Sequence, residues 1–205
     1  MKNWKEETIN TYNKSAKELA EYFRGIGSRV DNIELAIKLA GSPQNPAILE
    51  IGCGDGRDAK EILKRTKNYV GFDISEELVK LAKIYAPNGT FEVADAATYD
   101  YAKHQNLDVV FAFASLLHLN KDEVRKVLHK VCDSLRLGGV LYVSMKYRPQ
   151  YEEEVKKDEY GQRMFYYYYP ELFIELASDG FEATEGGKSF ATRKVEWFDL
   201  ALRKK

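Results

Sequence analysis

Cysteine is scarce in this sequence: Cys53 and Cys132 are the only two among 205 residues, and they form no CxxC pair. Nothing here reads as a disulfide framework, and a reducing, cytoplasmic setting is expected. Histidine is scarce too. His104, His118 and His129 share no metal-ligand spacing, so no metal is expected; His104 and His129 read as surface residues. No apolar run is long enough to span a bilayer, and the polar, charged stretch Met1–Tyr12 carries no signal pattern. Neither sign of charge prevails. Lys and Arg number 31 against 32 Asp and Glu, a formal net charge of -1, which offers no global basic field to nucleic acid or an anionic membrane. There is no internal repeat, no appended RNA-binding module and no sign of a second domain. Residues 1–205 therefore read as one domain with a sizeable core, expected as a monomer or homodimer.

What is present centres on Ala47 to Leu63, AILEIGCGDGRDAKEIL. A short apolar run leads through Glu50 and Ile51 into glycines at every second position, Gly52, Gly54 and Gly56. Ala59, Ile62 and Leu63 then recur at helical spacing. The reading is strand, tight turn, helix. Such a turn lets backbone approach a ligand without a Cβ in the way, and it delivers that ligand to a helix N-terminus. A dinucleotide fingerprint, G-x-G-x-x-G, would need its third glycine where Arg57 stands. Here the glycine falls one residue early, giving E-x-G-x-G-x-G.

Strand and helix patterns then alternate. Tyr69–Ile74 reads as a second strand, with Ser75 capping a helix that carries Leu78, Val79, Leu81, Ala82 and Tyr85. Thr90–Ala94 is a third strand and Leu107–Ser115 a fourth, apolar on both faces as the middle of a parallel sheet requires. Asn120 and Glu123 make a capping box for a helix through Leu135, after which Gly138-Gly139 turn the chain into a fifth strand, Val140–Met145. Before the first strand, residues 4–24 form an amphipathic helical run with Trp4, Thr8, Tyr12 and Leu19 loosely in phase. Residues 31–40 form another, with Asp31 as cap and Glu34 in the capping-box position, and 42–46 are a linker. Residues 147–168 are polar, charged and tyrosine-rich without a clear period. A helix from Pro170 to about Ser178 and short strands at 182–185 and 194–203 complete the chain. This alternation implies an open parallel sheet with right-handed crossovers.

The glycine register, followed in order by GFDIS (71–75), VADA (93–96), LDVVFAFASLLHL (107–119) and LRLGGVLYVSMK (135–146), resembles the class I S-adenosylmethionine (SAM)-dependent methyltransferases of the small-molecule type. The resemblance covers residues 30–203. It implies an α/β, Rossmann-like, seven-stranded, mostly parallel sheet with the last strand antiparallel and helices on both faces. It also implies SAM as cofactor, S-adenosylhomocysteine as product, and methyl transfer to a small-molecule acceptor by in-line SN2 displacement. An N-terminal Y-x-x-x-A segment lies over the pocket in that family; Tyr12 and Ala16 fit it, making residues 1–30 a helical lid and 147–168 an acceptor-side insert.

The expected site residues fall at strand ends, where open parallel sheets bind ligands. Gly52, Gly54 and Gly56 place backbone against the amino-acid part of the cofactor. Cys53 is a small side chain within that loop. Glu50, a carboxylate in an apolar strand, needs a partner, either the cofactor's amino group or nearby backbone. Asp73 stands 17 residues after Gly56 and suits both ribose hydroxyls, or a helix cap. By resemblance Asp95 accepts from the adenine amino group, the Ala96 amide donates to the ring and Ile74 covers its face; a turn aspartate is the plain alternative. Ser115 and His118 follow the fourth strand, where the methyl group is expected. His118 serves either as a base near neutral pH or as a packing histidine. The N/D-P-P-Y/F sequence of amino-group DNA methyltransferases is absent there. On the acceptor side Tyr12, Lys146, Tyr166 and Tyr168 are candidates, with aromatic lining or core as the two readings of the tyrosines. The rival functions are an NAD-dependent oxidoreductase, which Asp73 alone would equally serve, and a non-catalytic SAM-binding module.

Overall fold

The computed structural model describes residues 3–41, 43–192 and 195–205. Ser42 of the expected linker and Lys194, the expected start of the last strand, lie outside the described residues. Strands β1 (Ile48–Ile51), β2 (Tyr69–Asp73), β3 (Thr90–Val93), β4 (Leu107–Phe113), β5 (Leu135–Lys146), β8 (Phe181–Thr192) and β9 (Val195–Lys204) form one sheet. Its order is β3-β2-β1-β4-β5-β9-β8. Strands β1 to β5 pair in parallel, whereas β9 lies antiparallel to both β5 and β8. The last strand therefore runs against the other six, as expected. Strand order reverses between β1 and β4, and this opens a crevice beyond their carboxyl ends.

Helices cover both faces because the central strands are apolar on both. β1 is buried throughout, Glu50 included, and β4 nearly so. One core lies under α6 (Lys121–Ser134) and α7 (Pro170–Ala177), around Val110, Leu141, Leu128 and Phe173. The other lies under α3 (Val30–Leu39), α4 (Arg57–Ile62) and α5 (Glu76–Tyr85), around Ile33, Ile48, Ile62 and Phe111. The capping box on α6 is formed: Asn120 Oδ1 accepts from the Glu123 amide at 3.0 Å, and Glu123 returns the bond to the Asn120 amide at 3.0 Å. Ser75 caps α5 through the Leu78 amide.

Four expectations need correction. Asp31 does not cap α3; it sits in the first turn, and Glu34 instead accepts from Arg65 Nε at 2.6 Å. Gly138-Gly139 do not precede β5 but lie within it, where Gly139 passes so close to the carbonyls of Leu107 and Arg136 that a side chain would collide. The amphipathic run at 4–24 is two helices, α1 (Trp4–Lys14) and α2 (Ala16–Ile26), broken at Ser15. The aperiodic stretch 147–168 contains an antiparallel hairpin, β6 (Glu152–Asp158) with β7 (Gly161–Tyr167). The sequence hides it because β6, EEEVKKD, has no apolar alternation and is half-buried at most. Its turn is held by Asp158 Oδ1 accepting from the Tyr160 amide at 3.0 Å. β7 supplies the contrast, with Arg163, Phe165 and Tyr167 buried and the residues between them less so.

Candidate active site

At the end of β1 the chain turns sharply. The amides of Gly52 and Cys53 both donate to the Phe72 carbonyl, at 2.8 and 3.0 Å, which ties the loop to the end of β2. Gly52 has φ +73°, and a Cβ there would collide with Ser115 on the loop after β4. Gly54, at φ +54°, is different: a Cβ there would meet nothing and would stand in open space. That space is a cavity of about 440 Å³, lined by the glycine loop, the ends of β2, β3 and β4, α1 and the hairpin. Gly56 does not line it. Its missing side chain admits the backbone of Ala82 on α5, so its role is helix packing.

Three carboxylates come together on the cavity floor and rim. Asp73 ends β2; its Oδ2 accepts from the Gly54 amide and its Oδ1 from the Ser75 amide, both at 2.9 Å. Burial pushes its pKa up while these backbone donors pull it back. A carboxylate has about four acceptor sites, so lone pairs remain for further donors. Asp95, beyond β3, accepts from the Ala97 amide at 2.9 Å and pairs with Lys5 of α1 at 2.6 Å. Glu50 is almost fully buried and accepts from Tyr69 Oη at 2.6 Å. Burial and the nearby Asp58 carboxylate hold its pKa well above the usual range. In register it faces Gly71, whose missing side chain admits the Tyr69 hydroxyl.

At the other end of the loop, Asp58 gathers two arginines. It accepts from the Arg29 amide at 2.9 Å, from Arg29 Nη1 at 2.7 Å and from Arg57 Nη2 at 2.6 Å. Arg29, Arg57 and Asp58 line the cavity and were not singled out from sequence. Arg57 and Asp58 directly follow the glycine motif, which was the available signal. Arg29 gave none, since it is brought in from outside the motif. Two buried polar atoms at the cavity, Arg57 Nε and Ser115 Oγ, have no partner. Buried donors of this kind normally do find one.

Ser115, expected at the cofactor, and Tyr12, His118 and Tyr166, expected at the acceptor, all line the cavity, together with Trp4, Thr8 and Met164. Trp4, Thr8 and Tyr12 form one i, i+4 row along α1, so the stripe seen in sequence faces the cavity. His118 lies in a short 3-10 turn after β4. Its Nδ1 is 2.6 Å from the Met164 carbonyl, which only accepts, so Nδ1 carries the proton. Its Nε2 then accepts from Tyr12 Oη at 2.8 Å. Burial lowers the His118 pKa to about 3, far from a free base near neutral pH. Burial raises that of Tyr12, and the Arg163 charge partly opposes it.

The remaining expected residues divide. Glu50, Cys53, Ile74 and Ala96 line the cavity, and burial pushes the Cys53 thiol well up. Lys146 and Tyr168 do not line it. Tyr168 is a core residue whose hydroxyl donates to the Leu119 carbonyl at 2.7 Å. Lys146 Nζ sits 3.5 Å from the centre of the Phe165 ring, and burial lowers its pKa to about 7. Along β7, Met164 and Tyr166 face the cavity and Phe165 and Tyr167 the core, so Lys146 is screened by Phe165; Tyr168 lies past the end of β7 and is buried there. His104 is partly buried at the surface, its Nε2 2.7 Å from the Tyr99 hydroxyl. Among the described residues no helix is long and apolar enough to cross a membrane, and no cluster of His, Cys, Asp or Glu is arranged to hold a metal.

A family model described as a methyltransferase domain matches residues 48–139. A phosphoethanolamine N-methyltransferase of Triticum aestivum is 23% identical over 75% of this chain and 30% of its own length. A trans-aconitate 2-methyltransferase of Variovorax paradoxus is 30% identical over 50% of this chain and 39% of its own. The chain thus spans well under half the length of these curated relatives. Among solved structures, a 1,6-didemethyltoxoflavin-N1-methyltransferase of Burkholderia thailandensis superposes with a TM-score of 0.74 at 16% identity, over 96% of this chain and 87% of that one. A SAM-dependent methyltransferase of Methanosarcina mazei gives 0.68 at 20% identity, over 79% and 93%. The chain therefore shares the fold of these SAM-dependent methyltransferases, and its residues 48–139 are similar to a methyltransferase domain.

Proposed function

We propose that this protein transfers a methyl group from SAM to a small-molecule acceptor. One observation carries the reading. The open face of Asp73, the side-chain-free wall at Gly54, the unpartnered Arg57 Nε and Ser115 Oγ, and the Tyr12–His118 pair all border one cavity. These groups fit the cofactor part by part. Asp73 has spare acceptor sites for ribose hydroxyls. Asp95, Ala96 and Ile74 border the adenine end. Arg29 and Arg57 offer positive charge to a carboxylate at the loop. When bound, SAM supplies a sulfonium methyl group open to in-line attack by a nucleophile.

The chain's own part is alignment, which in favourable cases is worth about 7–11 kcal/mol. Tyr12 Oη leans its proton on His118 Nε2, Arg163 donates to its oxygen, and the lone pair that remains faces an acceptor O–H or N–H. His118 acts as a positioning residue: held neutral, it orients Tyr12, and the Met164 carbonyl fixes its tautomer. α1 and the hairpin serve as lid and acceptor-side insert, and their joints support this. Thr8 Oγ1 accepts from the Met164 amide at 2.9 Å, and Thr11 Oγ1 donates to the Gln162 carbonyl at 2.8 Å. Together they exclude water from the methyl's path. The unpaired cysteines suit a cytoplasmic enzyme, acting as a monomer or homodimer.

Calorimetric titration tests the cofactor: heat with SAM or S-adenosylhomocysteine and none with NAD is expected, and the reverse would overturn it. Incubation with labelled SAM and a metabolite extract tests turnover, where the expected result is transfer of label to a small molecule. A protein that binds SAM and labels nothing would be a binding module.

A further inference from the structure

We infer that the acceptor is an uncharged planar ring compound bearing the nucleophilic O–H or N–H, and that this site rejects phosphate esters and carboxylates. The inference rests on the methyl-transfer reading and concerns the cavity's acceptor half. Its walls are ring and aliphatic surface: Trp4, Ile9, Tyr12, Leu119, Met164 and Tyr166. Flat apolar walls favour a flat apolar guest, and aromatic rings add offset or edge contacts to the burial itself.

The decisive observation is where the positive charge goes. An anion taken out of water needs a counter-charge or several strong donors. On this side each described cation is already engaged. Lys5, the only lysine among the described residues that lines the cavity, reaches Asp95 at 2.6 Å and Glu123 at 3.4 Å, so two carboxylates share one ammonium. Arg163 is paired with Asp158. Arg148 is paired with Glu152 at 2.6 Å. Lys146 lies behind the Phe165 ring and does not reach the cavity. Arg29 and Arg57 are gathered by Asp58 at the glycine-loop end, where the cofactor's own carboxylate belongs.

A helix N-terminus is the other common anion site, and α6 begins at this wall. Its first amides are occupied from within: Asn120 Oδ1 accepts from both Asp122 and Glu123, each at 3.0 Å. The polar groups left to meet a guest are the unpartnered Ser115 hydroxyl and the Tyr12 phenol, both suited to an uncharged O–H or N–H. An acceptor with a phosphate or carboxylate would face the Glu123 carboxylate at the rim and, among the described residues, no unpaired cation. A neutral ring meets no such barrier.

Matched probes test this on the full chain preloaded with S-adenosylhomocysteine. 1-Naphthol is titrated against 1-naphthyl phosphate, and indole against indole-2-carboxylate, by ligand-observed NMR and calorimetry. Each neutral member is expected to bind at least about tenfold tighter than its anionic partner. Equal or tighter binding of the anionic members overturns the inference, as does failure of both neutral rings to bind the loaded protein. Glu123→Gln, which keeps a capping-box side chain and frees Lys5 of one carboxylate, is expected to shrink the preference about threefold or more. An unchanged ratio overturns the electrostatic cause. The preloading titration separates the two readings, because a protein that never takes up S-adenosylhomocysteine sinks the cofactor assignment instead.

Discussion

In the function proposed for it, the cavity has a cofactor half and an acceptor half, and the two are built in opposite ways. The cofactor half is made of strand ends and backbone. Glu50, Gly52, Gly54, Asp73 and Asp95 sit at the carboxyl edge of neighbouring parallel strands, and their partners lie on the same strand end or the adjacent strand. The acceptor half is made of side chains from segments far apart in the chain: Thr8 with Met164, Tyr12 with His118, Lys5 with Glu123. The first is rigid because the sheet is. The second holds only while α1 and the β6–β7 hairpin stay docked on each other. A cofactor shared by many enzymes is met by the sheet, and the acceptor, which differs among them, by the added pieces.

The largest effect is expected where the cofactor half is most tightly packed. Gly71→Ala would drive a Cβ into the Tyr69 hydroxyl and leave the buried Glu50 without its donor. A loss of roughly 2–4 kcal/mol is expected, read as a lower urea midpoint at constant m. A change near zero would mean the floor is far looser than the wall above it.

Asp73→Asn comes next. S-adenosylhomocysteine affinity should fall more than about tenfold, since hydrogen bonds to a charged group contribute roughly 1.5–3 kcal/mol. The free protein should also lose about 1–3 kcal/mol of stability, because one carboxamide oxygen cannot accept from both the Gly54 and Ser75 amides. Equal affinity by calorimetry would take Asp73 out of the site.

Tyr12→Phe addresses the acceptor half. The loss is expected to be about 1 kcal/mol of stability, with cofactor affinity kept within about threefold. The same pair predicts a pH effect. The His118 pKa is depressed from 6.5 to about 3, so the unfolded chain takes up this proton first. Its contribution to stability is complete above pH 6.5 and declines as pH falls toward about 3. Imidazole NMR should show no titration near neutrality; a midpoint near 6.5 would contradict the buried neutral pair.

The smallest effect belongs to the rim. Lys5→Met removes a half-exposed ion pair with Asp95 and Glu123, for which about 0.2–1 kcal/mol is expected. It should speed cofactor release modestly and remove part of its salt dependence, measured by stopped-flow.

How much of this was legible follows the same division. The strands, Ser75, the α6 capping box and the residues around Asp73 and Asp95 could be read in place, because each depends on a period or a neighbour close in sequence. Gly56 was legible as part of a motif but not in its role, since only the packing of α5 shows that its missing Cβ admits Ala82. Lys146 and Tyr168 were drawn to the cavity by position after a strand and by composition. Strand alternation, which cannot be phased without the hairpin register, turns Phe165 between Lys146 and the cavity, while Tyr168 lies past the end of β7 with its hydroxyl tied to the Leu119 carbonyl. Arg29 had no signal, because its tie to Asp58 joins separate segments.

By itself, the sequence determined the alternating parallel sheet, the glycine turn that keeps a ligand's path free of side chains, and the carboxylates that end consecutive strands. These rest on short-range steric and hydrogen-bonding rules that a linear pattern records. Tertiary structure alone decided what the acceptor meets: which tyrosines face inward, that His118 is a neutral partner of Tyr12, and that the cations along that wall are taken. Those outcomes depend on burial and on charges brought within a few ångströms from distant parts of the chain. No local pattern encodes them.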